Sequence, residues 1–286
     1  MSKRTVSLVL GSGGARGYAH IGAIEALEEA GYTVTAVSGS SMGALIGGLY
    51  ACGKLDEYRR WVTEFDAMSV LKLVDFSFGR SGIIRGDKVF DGIKAIVGEV
   101  RIEDLAIPFT AVATDIHAQK EVWFQKGDLL DAIRASIAVP SIFTPKVIDG
   151  RTYVDGGVMS PLPTIPLFSS SAEIMVAVDL NAPPSKSLQD EVKPDGLKEK
   201  ALAFVRDNFF SGKAEQLDSI NILNASLEAM QNRITRYALA ARMPEITVEI
   251  PGNICEFYDF HKAPEVIAYG KEAARKAIEQ YESREG

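Results

Sequence analysis

Hydrophobic positions repeat along the chain with two periods, and the places where one gives way to the other mark its elements. Thr5-Val-Ser-Leu-Val-Leu10 is a short apolar run and predicts a first strand. A glycine loop, Gly11-Ser-Gly-Gly-Ala-Arg-Gly17, follows it. Ile21, Ile24 and Leu27, with neighbouring alanines, then share one face of a predicted helix that stops at Gly31. Val34 to Val37 predicts a second strand, and Ala44 to Tyr50 a buried helix. A strand–helix–strand–helix order predicts parallel strands. Both following loops then leave the same carboxyl edge of the sheet, where sites in α/β proteins form.

Further on, helices are predicted over Asp56–Phe65, Asp87–Val97, Asp128–Ile137 and Pro264–Tyr281, and strands over Ile107–Asp115, Glu121–Phe124, Glu173–Asp179 and Ile246–Ile250. A short β-type run precedes Asp155. Ile220, Leu223, Leu227, Met230, Ile234, Tyr237 and Ala241 recur at three and four residues, a long amphipathic helix expected to pack on the core. Met68–Phe78 is dense in large apolar residues; core packing is its expected role, with a lid or membrane-docking surface as the alternative. Ser81–Gly86 reads as a turn and Asn181–Leu197, rich in Pro, Ser, Lys and Asp, as a surface excursion.

Composition narrows the classes. With 286 residues, 47% hydrophobic and 24% charged, the chain can bury one large core. Its net charge of −7 carries no electrostatic footprint for nucleic acid. No apolar run approaches the ~20 residues that span a bilayer. Lys3 and Arg4 precede only a short apolar run, unlike a signal peptide. A cytoplasmic location is expected, with peripheral contact at the inner membrane face left open. Cys52 and Cys255 are too few for a disulfide framework or a metal site, so neither metal nor cofactor is expected.

The candidate chemistry lies at the turns. Gly39-Ser-Ser-Met-Gly43 is a G-x-S-x-G pentapeptide between a strand and a helix, the setting of a nucleophile elbow. Gly39 and Gly43 suit a turn too sharp for a Cβ, and Ser41 would stand at a helix N-terminus that favours developing negative charge. An ordinary tight turn with an N-cap serine is the plainer reading. The first glycine loop fits a dinucleotide fingerprint poorly: Arg16 stands where G-x-G-x-x-G needs glycine, and no acidic residue ends the second strand. An oxyanion hole made by the N–H groups of Gly13, Gly14 and Ala15 fits better. Asp155, at a strand end before two glycines, is a carboxylate in a loop tight enough to aim it, with an Asx-type glycine turn as the plainer reading; Asp115, at the end of a buried strand, is read as structural. Of the three histidines, His20 is expected to bond locally on the first helix, and His117 and His261 to lie in a hairpin loop and before the last helix.

Together these motifs resemble the patatin-like phospholipases, and most of all the small bacterial members related to the neuropathy-target-esterase catalytic domain. The resemblance rests on Gly11–Gly17, Gly39–Gly43 and Asp155-Gly-Gly157, with Ala113-Thr-Asp115 and Ala135-Ser136…Pro140 between them. It covers residues 6–180, expected as the catalytic domain, with 181–286 as a C-terminal helical extension packed on it. It implies an α/β/α sandwich with a mainly parallel sheet and a Ser–Asp dyad without histidine. It places the nucleophile at Ser41, the base at Asp155 and the oxyanion loop at Gly13, Gly14, Ala15 and Arg16, with Arg16 favoured as a brace for the loop. Ser12 replaces a glycine common in the family. The implied activity is hydrolysis of acyl esters of phospholipids, lysophospholipids or related lipids. Acyl transfer or thioester cleavage on the same serine, and non-catalytic lipid binding, are the alternatives.

Overall fold

The structure is a computed structural model and describes residues 4–66, 68–70, 86–140, 142–185, 188 and 214–285. Its centre is an eight-stranded sheet. β1 (Thr5–Leu10) pairs in parallel with β2 (Thr33–Ser40) on one side and β7 (Ile174–Ala182) on the other. β3 (Phe109–Asp115) continues the parallel series beside β2, and β8 (Ile246–Pro251) beside β7. At the β3 end the sheet turns antiparallel, with β4 (Lys120–Phe124), β5 (Lys146–Ile148) and β6 (Arg151–Asp155). The expected parallel β1–β2 pair is present, so both glycine loops do leave one edge.

Side-chain alternation in β1 divides the core. Val6, Leu8 and Leu10 face the larger cluster, with α1 (Ala19–Glu29), α2 (Met42–Ala51) and α7 (Ala263–Glu285). Val9 faces the other side, with Leu162, Leu167, Met175 and Ala177. Helices therefore cover both faces of a mostly parallel sheet. α1 and α7 meet backbone to backbone: a Cβ on Gly22 would strike the Ile267 carbonyl, and one on Gly270 the Ala19 carbonyl. α3 (Leu55–Thr63), α4 (Asp87–Val97) and α5 (Leu129–Ser136) match predicted helices, and Asp128 caps α5 by accepting from the Asp131 N–H at 2.8 Å.

Three places differ from expectation. A 3₁₀ turn, Gly14–Tyr18, separates the first glycine loop from α1. β5 was not predicted. It forms a hairpin with β6 across Asp149-Gly150, whose φ values of 49° and 73° make the two-residue turn that suits twisted strands. The third is α6 (Ala214–Ala241), whose predicted stripe is only partly covered among the described side chains, with Leu227 and Ile234 half-buried. Thr235 is buried and Leu239 packs on the Val9 cluster, whereas Met230 and Tyr237 are 56% and 61% exposed. The sheet face beneath α6 offers only a small apolar patch, so the helix docks by a narrow edge. Of Met68–Phe78 only 68–70 are described, with Met68 exposed; the rest of that run, and most of Ser81–Gly86 and Asn181–Leu197, lie outside the described residues.

Candidate active site

β2 and β6 share one edge of β3. β4 occupies the other edge, so β2 pairs with Phe109–Val112 and β6 with Ala113–Asp115, end to end. Ser40 lies opposite Val112 and Asp155 opposite Ala113. The carboxyl ends of two strands running in opposite directions thus meet at one point. There Ser41 Oγ donates to Asp155 Oδ2 at 2.5 Å.

The turn at Ser41 is held in a conformation that L residues rarely adopt, φ 55° and ψ −124°. Such strain is of order 1–3 kcal/mol and persists only where the surroundings enforce it. A Cβ on Gly39 would overlap the Gly43 carbonyl, and one on Gly43 would overlap that of Leu10, which explains both flanking glycines. The Ser41 carbonyl accepts from Ala44 N–H at 2.9 Å and Leu45 N–H at 3.1 Å, starting α2 directly behind the hydroxyl.

Asp155 is fixed on every side. Its Oδ1 accepts from Gly157 N–H at 2.7 Å, its N–H donates to Ala138 O at 2.9 Å, and its carbonyl accepts from Thr114 Oγ1 at 3.0 Å. Only 3% of Asp155 and 4% of Ser41 is exposed. Burial pushes the Asp155 carboxyl up to about 7, although the bonds from Ser41 and Gly157 pull it down. A carboxyl poised near neutrality can both take and return a proton.

The first glycine loop stands beside this pair. Gly11 N–H donates to Val178 O at 3.1 Å and Ser12 N–H to Pro161 O at 2.8 Å, which anchor its start. Ala15 N–H donates to Phe257 O at 2.9 Å, so it is not free for an oxyanion, contrary to the expectation for that residue. Gly13 and Gly14 N–H find no acceptor among the described residues. Arg16 is buried and braces the loop: Nε donates to Gly13 O at 3.1 Å, and the two terminal nitrogens to Gly252 O and Glu228, each at 3.2 Å. Gripping the Gly13 carbonyl turns the Gly14 N–H of the same planar peptide the opposite way. Ser12 Oγ is buried and finds no partner among the described residues, and both it and Asp155 Oδ1 lie within 3 Å of where a Cβ on Gly157 would sit, at 2.7 and 2.9 Å.

The remaining candidates stand apart. Asp115 Oδ1 accepts from His117 and Ala118 N–H, at 3.2 and 2.9 Å, capping its own turn. His20 is buried, and burial lowers it to about 4, so the neutral ring donates from Nε2 to Gly11 O at 2.8 Å. His117 is exposed and His261 half-buried on the turn before α7. No histidine bonds Ser41 or Asp155 among the described residues. A groove of about 1140 Å³, lined by Asp91, Lys94, Arg134 and Lys146 among others, contains neither Ser41 nor Asp155. Among the described residues no cluster of His, Cys, Asp or Glu is placed to hold a metal, and both cysteines are free.

Ser136 is the residue that sequence reasoning passed over. It was noticed only as part of a motif, and its hydroxyl accepts from Ser41 N–H at 2.9 Å.

Comparison with known proteins gives the family. A patatin-like phospholipase family profile matches residues 8–168. An uncharacterised NTE family protein of Mycobacterium tuberculosis is 36% identical, over 98% of this chain and 93% of its own. The human patatin-like phospholipase domain-containing protein 6 is 34% identical over 64% of this chain, which matches 14% of that protein's length. Among solved structures, VipD from Legionella pneumophila aligns over 98% of this chain and 67% of its own with a TM-score of 0.50; at 14% identity that likeness is one of fold. A serine turn, a DGG carboxylate and a glycine loop on one sheet edge, with relatives that match nearly end to end, place this chain in the patatin-like phospholipase family.

Proposed function

We propose that this protein is a serine esterase that hydrolyses acyl esters of phospholipids, lysophospholipids or related lipids through a Ser41–Asp155 dyad. The 2.5 Å bond from Ser41 Oγ to a buried carboxylate, with no imidazole between them, carries this reading. Ionised Asp155 accepts the Ser41 proton as Oγ attacks the ester carbonyl carbon. The carbonyl π pair moves to oxygen, and Gly13 and Gly14 N–H receive that oxyanion. The tetrahedral centre collapses, the bond to the leaving alcohol breaks, and protonated Asp155 returns the proton to that alcohol. Water, deprotonated by Asp155, then attacks the acyl-enzyme, releases the fatty acid and restores Ser41.

Contact with a lipid surface belongs to the same proposal. Ile222, Met230 and Tyr237 of α6 are exposed, as is Met243 just beyond it. Ala229–Met243 holds Arg233, Arg236 and Arg242 and no acidic residue in a chain of net charge −7. Apolar and basic residues on one helix favour an anionic interface. Among the described residues no helix is long and apolar enough to cross a membrane.

The test is fluorophosphonate labelling with mapping of the adduct, beside turnover of a panel of acyl esters. An adduct on Ser41, and loss of labelling and turnover in Ser41→Ala, is the expected result. An adduct on another serine, or substantial turnover by Ser41→Ala, overturns the reading.

A further inference from the structure

We propose that Ser136 is a positioning residue that sets the distance between nucleophile and base, an inference that rests on the dyad reading above. Ser136 is the last residue of α5 and fully buried. Its hydroxyl is engaged twice: it accepts from Ser41 N–H at 2.9 Å and donates to Val112 O at 2.6 Å. Its proton is committed to Val112, so the lone pair facing Ser41 cannot turn away. Two residues on, Ala138 O accepts the Asp155 N–H at 2.9 Å. Ser136 and Ala138, with one residue between them in sequence, thereby hold the main-chain nitrogens of both members of the dyad.

The third anchor, Val112, is the β3 residue opposite Ser40, at the point where β2 and β6 meet. A Cβ on Gly156 would overlap the same Val112 carbonyl, so that oxygen touches the base turn as well. One hydroxyl therefore ties α5, β3 and the serine elbow together at the one place where the reacting oxygens must meet. The strain at Ser41 gives the tie its purpose. A residue held at φ 55° relaxes when a restraint is removed, and the Oγ swings with it. A buried serine that merely satisfies an amide would affect stability alone; one that sets the Oγ–Oδ2 distance affects the chemical step more than it affects stability.

The experiment compares S136A with S38A. Ser38 is also a fully buried β2 serine whose hydroxyl donates to a carbonyl, that of Pro163 at 2.6 Å, and it does not touch the dyad. Melting temperature, fluorophosphonate labelling rate, and kcat and KM on a short-chain p-nitrophenyl ester are measured for both. Both variants are expected to melt lower by similar amounts. Only S136A should lose labelling rate and kcat, by about 10²-fold for a displacement of about 1 Å, with KM little changed. Should S136A fail to fold, S136C carries the same test, since a thiol of similar size accepts poorly. Wild-type labelling in S136A or S136C, or a loss matched by S38A, overturns the inference. Asp155→Asn separates the two readings. If it retains wild-type turnover, the dyad itself falls; if it is inactive while S136A is unimpaired, the Ser136 inference alone falls.

Discussion

A carboxyl pushed to about 7 makes Asp155 the residue on which both rate and stability should turn with pH. In the proposed mechanism the base works ionised, so kcat/KM is expected to rise with pH through an acid limb near 7, read from a pH–rate profile. Replacing His117 or His261 by Gln should leave that limb in place, since neither bonds the dyad; a limb lost with either would point to a histidine base. Stability runs the other way. Below about pH 4 the carboxyl is protonated in both folded and unfolded chains, and burial adds no penalty. Between about 4 and 7 the unfolded chain loses its proton while the folded one keeps it. Stability therefore falls with rising pH, by up to about 4 kcal/mol in total at about 1.4 kcal/mol per unit. Asp155→Asn has no charge to bury. It should be inactive yet more resistant to urea than the wild type at pH 8, an advantage that shrinks towards pH 4. Ser41 and Asp155 were legible because each sits in a glycine-bounded turn with its own spacing. The limits appear at Ala15 and Gly14. Nothing local reveals that Phe257, more than two hundred residues on, takes the Ala15 N–H or packs 2.6 Å from where a Cβ on Gly14 would lie. With Gly14 at φ +55°, Gly14→Val is expected to lose stability as well as turnover, read from a urea midpoint beside an ester assay.

Elements were legible in proportion to how much of their surface the core decides. β1 and α2 are buried almost throughout, and β2 and α1 over most of their length, so their pattern and their packing coincide. α6 has the periodicity but packs by Thr235 and Leu239, because periodicity tells which residues share a face and not which face the sheet will take. β5 is only three residues long, below the reach of any alternation test, yet Asp149-Gly150 between Ile148 and Arg151 was a hairpin signal in plain view. The α1–α7 crossing depends on Gly22 and Gly270, whose neighbours are backbone atoms that cannot move aside as a flexible side chain does. Gly22→Leu should therefore cost about 3 kcal/mol, at the upper end for overpacking, seen as a lower urea midpoint.

At the scale of the molecule, the dyad joins residues 114 positions apart, and each reaches the site from a different strand direction. Neither motif makes a catalyst alone. Parallel pairing, which follows from strand–helix alternation, put Ser41 and the first glycine loop at one sheet edge. It said nothing of Asp155, whose place beside Ser41 depends on β2 and an antiparallel β6 dividing one edge of β3. The charge distribution is also a property of the whole. If the basic segment near Met243 meets lipid, binding to anionic vesicles should exceed binding to zwitterionic ones and fall with salt. Arg233→Glu with Arg236→Glu should abolish the difference while hydrolysis of a soluble ester is unchanged. Equal binding to both vesicle types would dismiss the electrostatic contact.

The Asp149-Gly150 turn carries a further consequence. Exposed turns ordinarily tolerate changes of length. This one meters out β6, and side chains alternate along a strand, so one extra residue would present Val154's neighbour to the wrong face of the sheet. An insertion at the surface, six residues from the carboxylate, should then abolish the proposed hydrolysis as fully as deleting the carboxylate. Length, rather than identity, is what this stretch has to preserve, and tolerance to drift should be wide in its side chains and nil in its count.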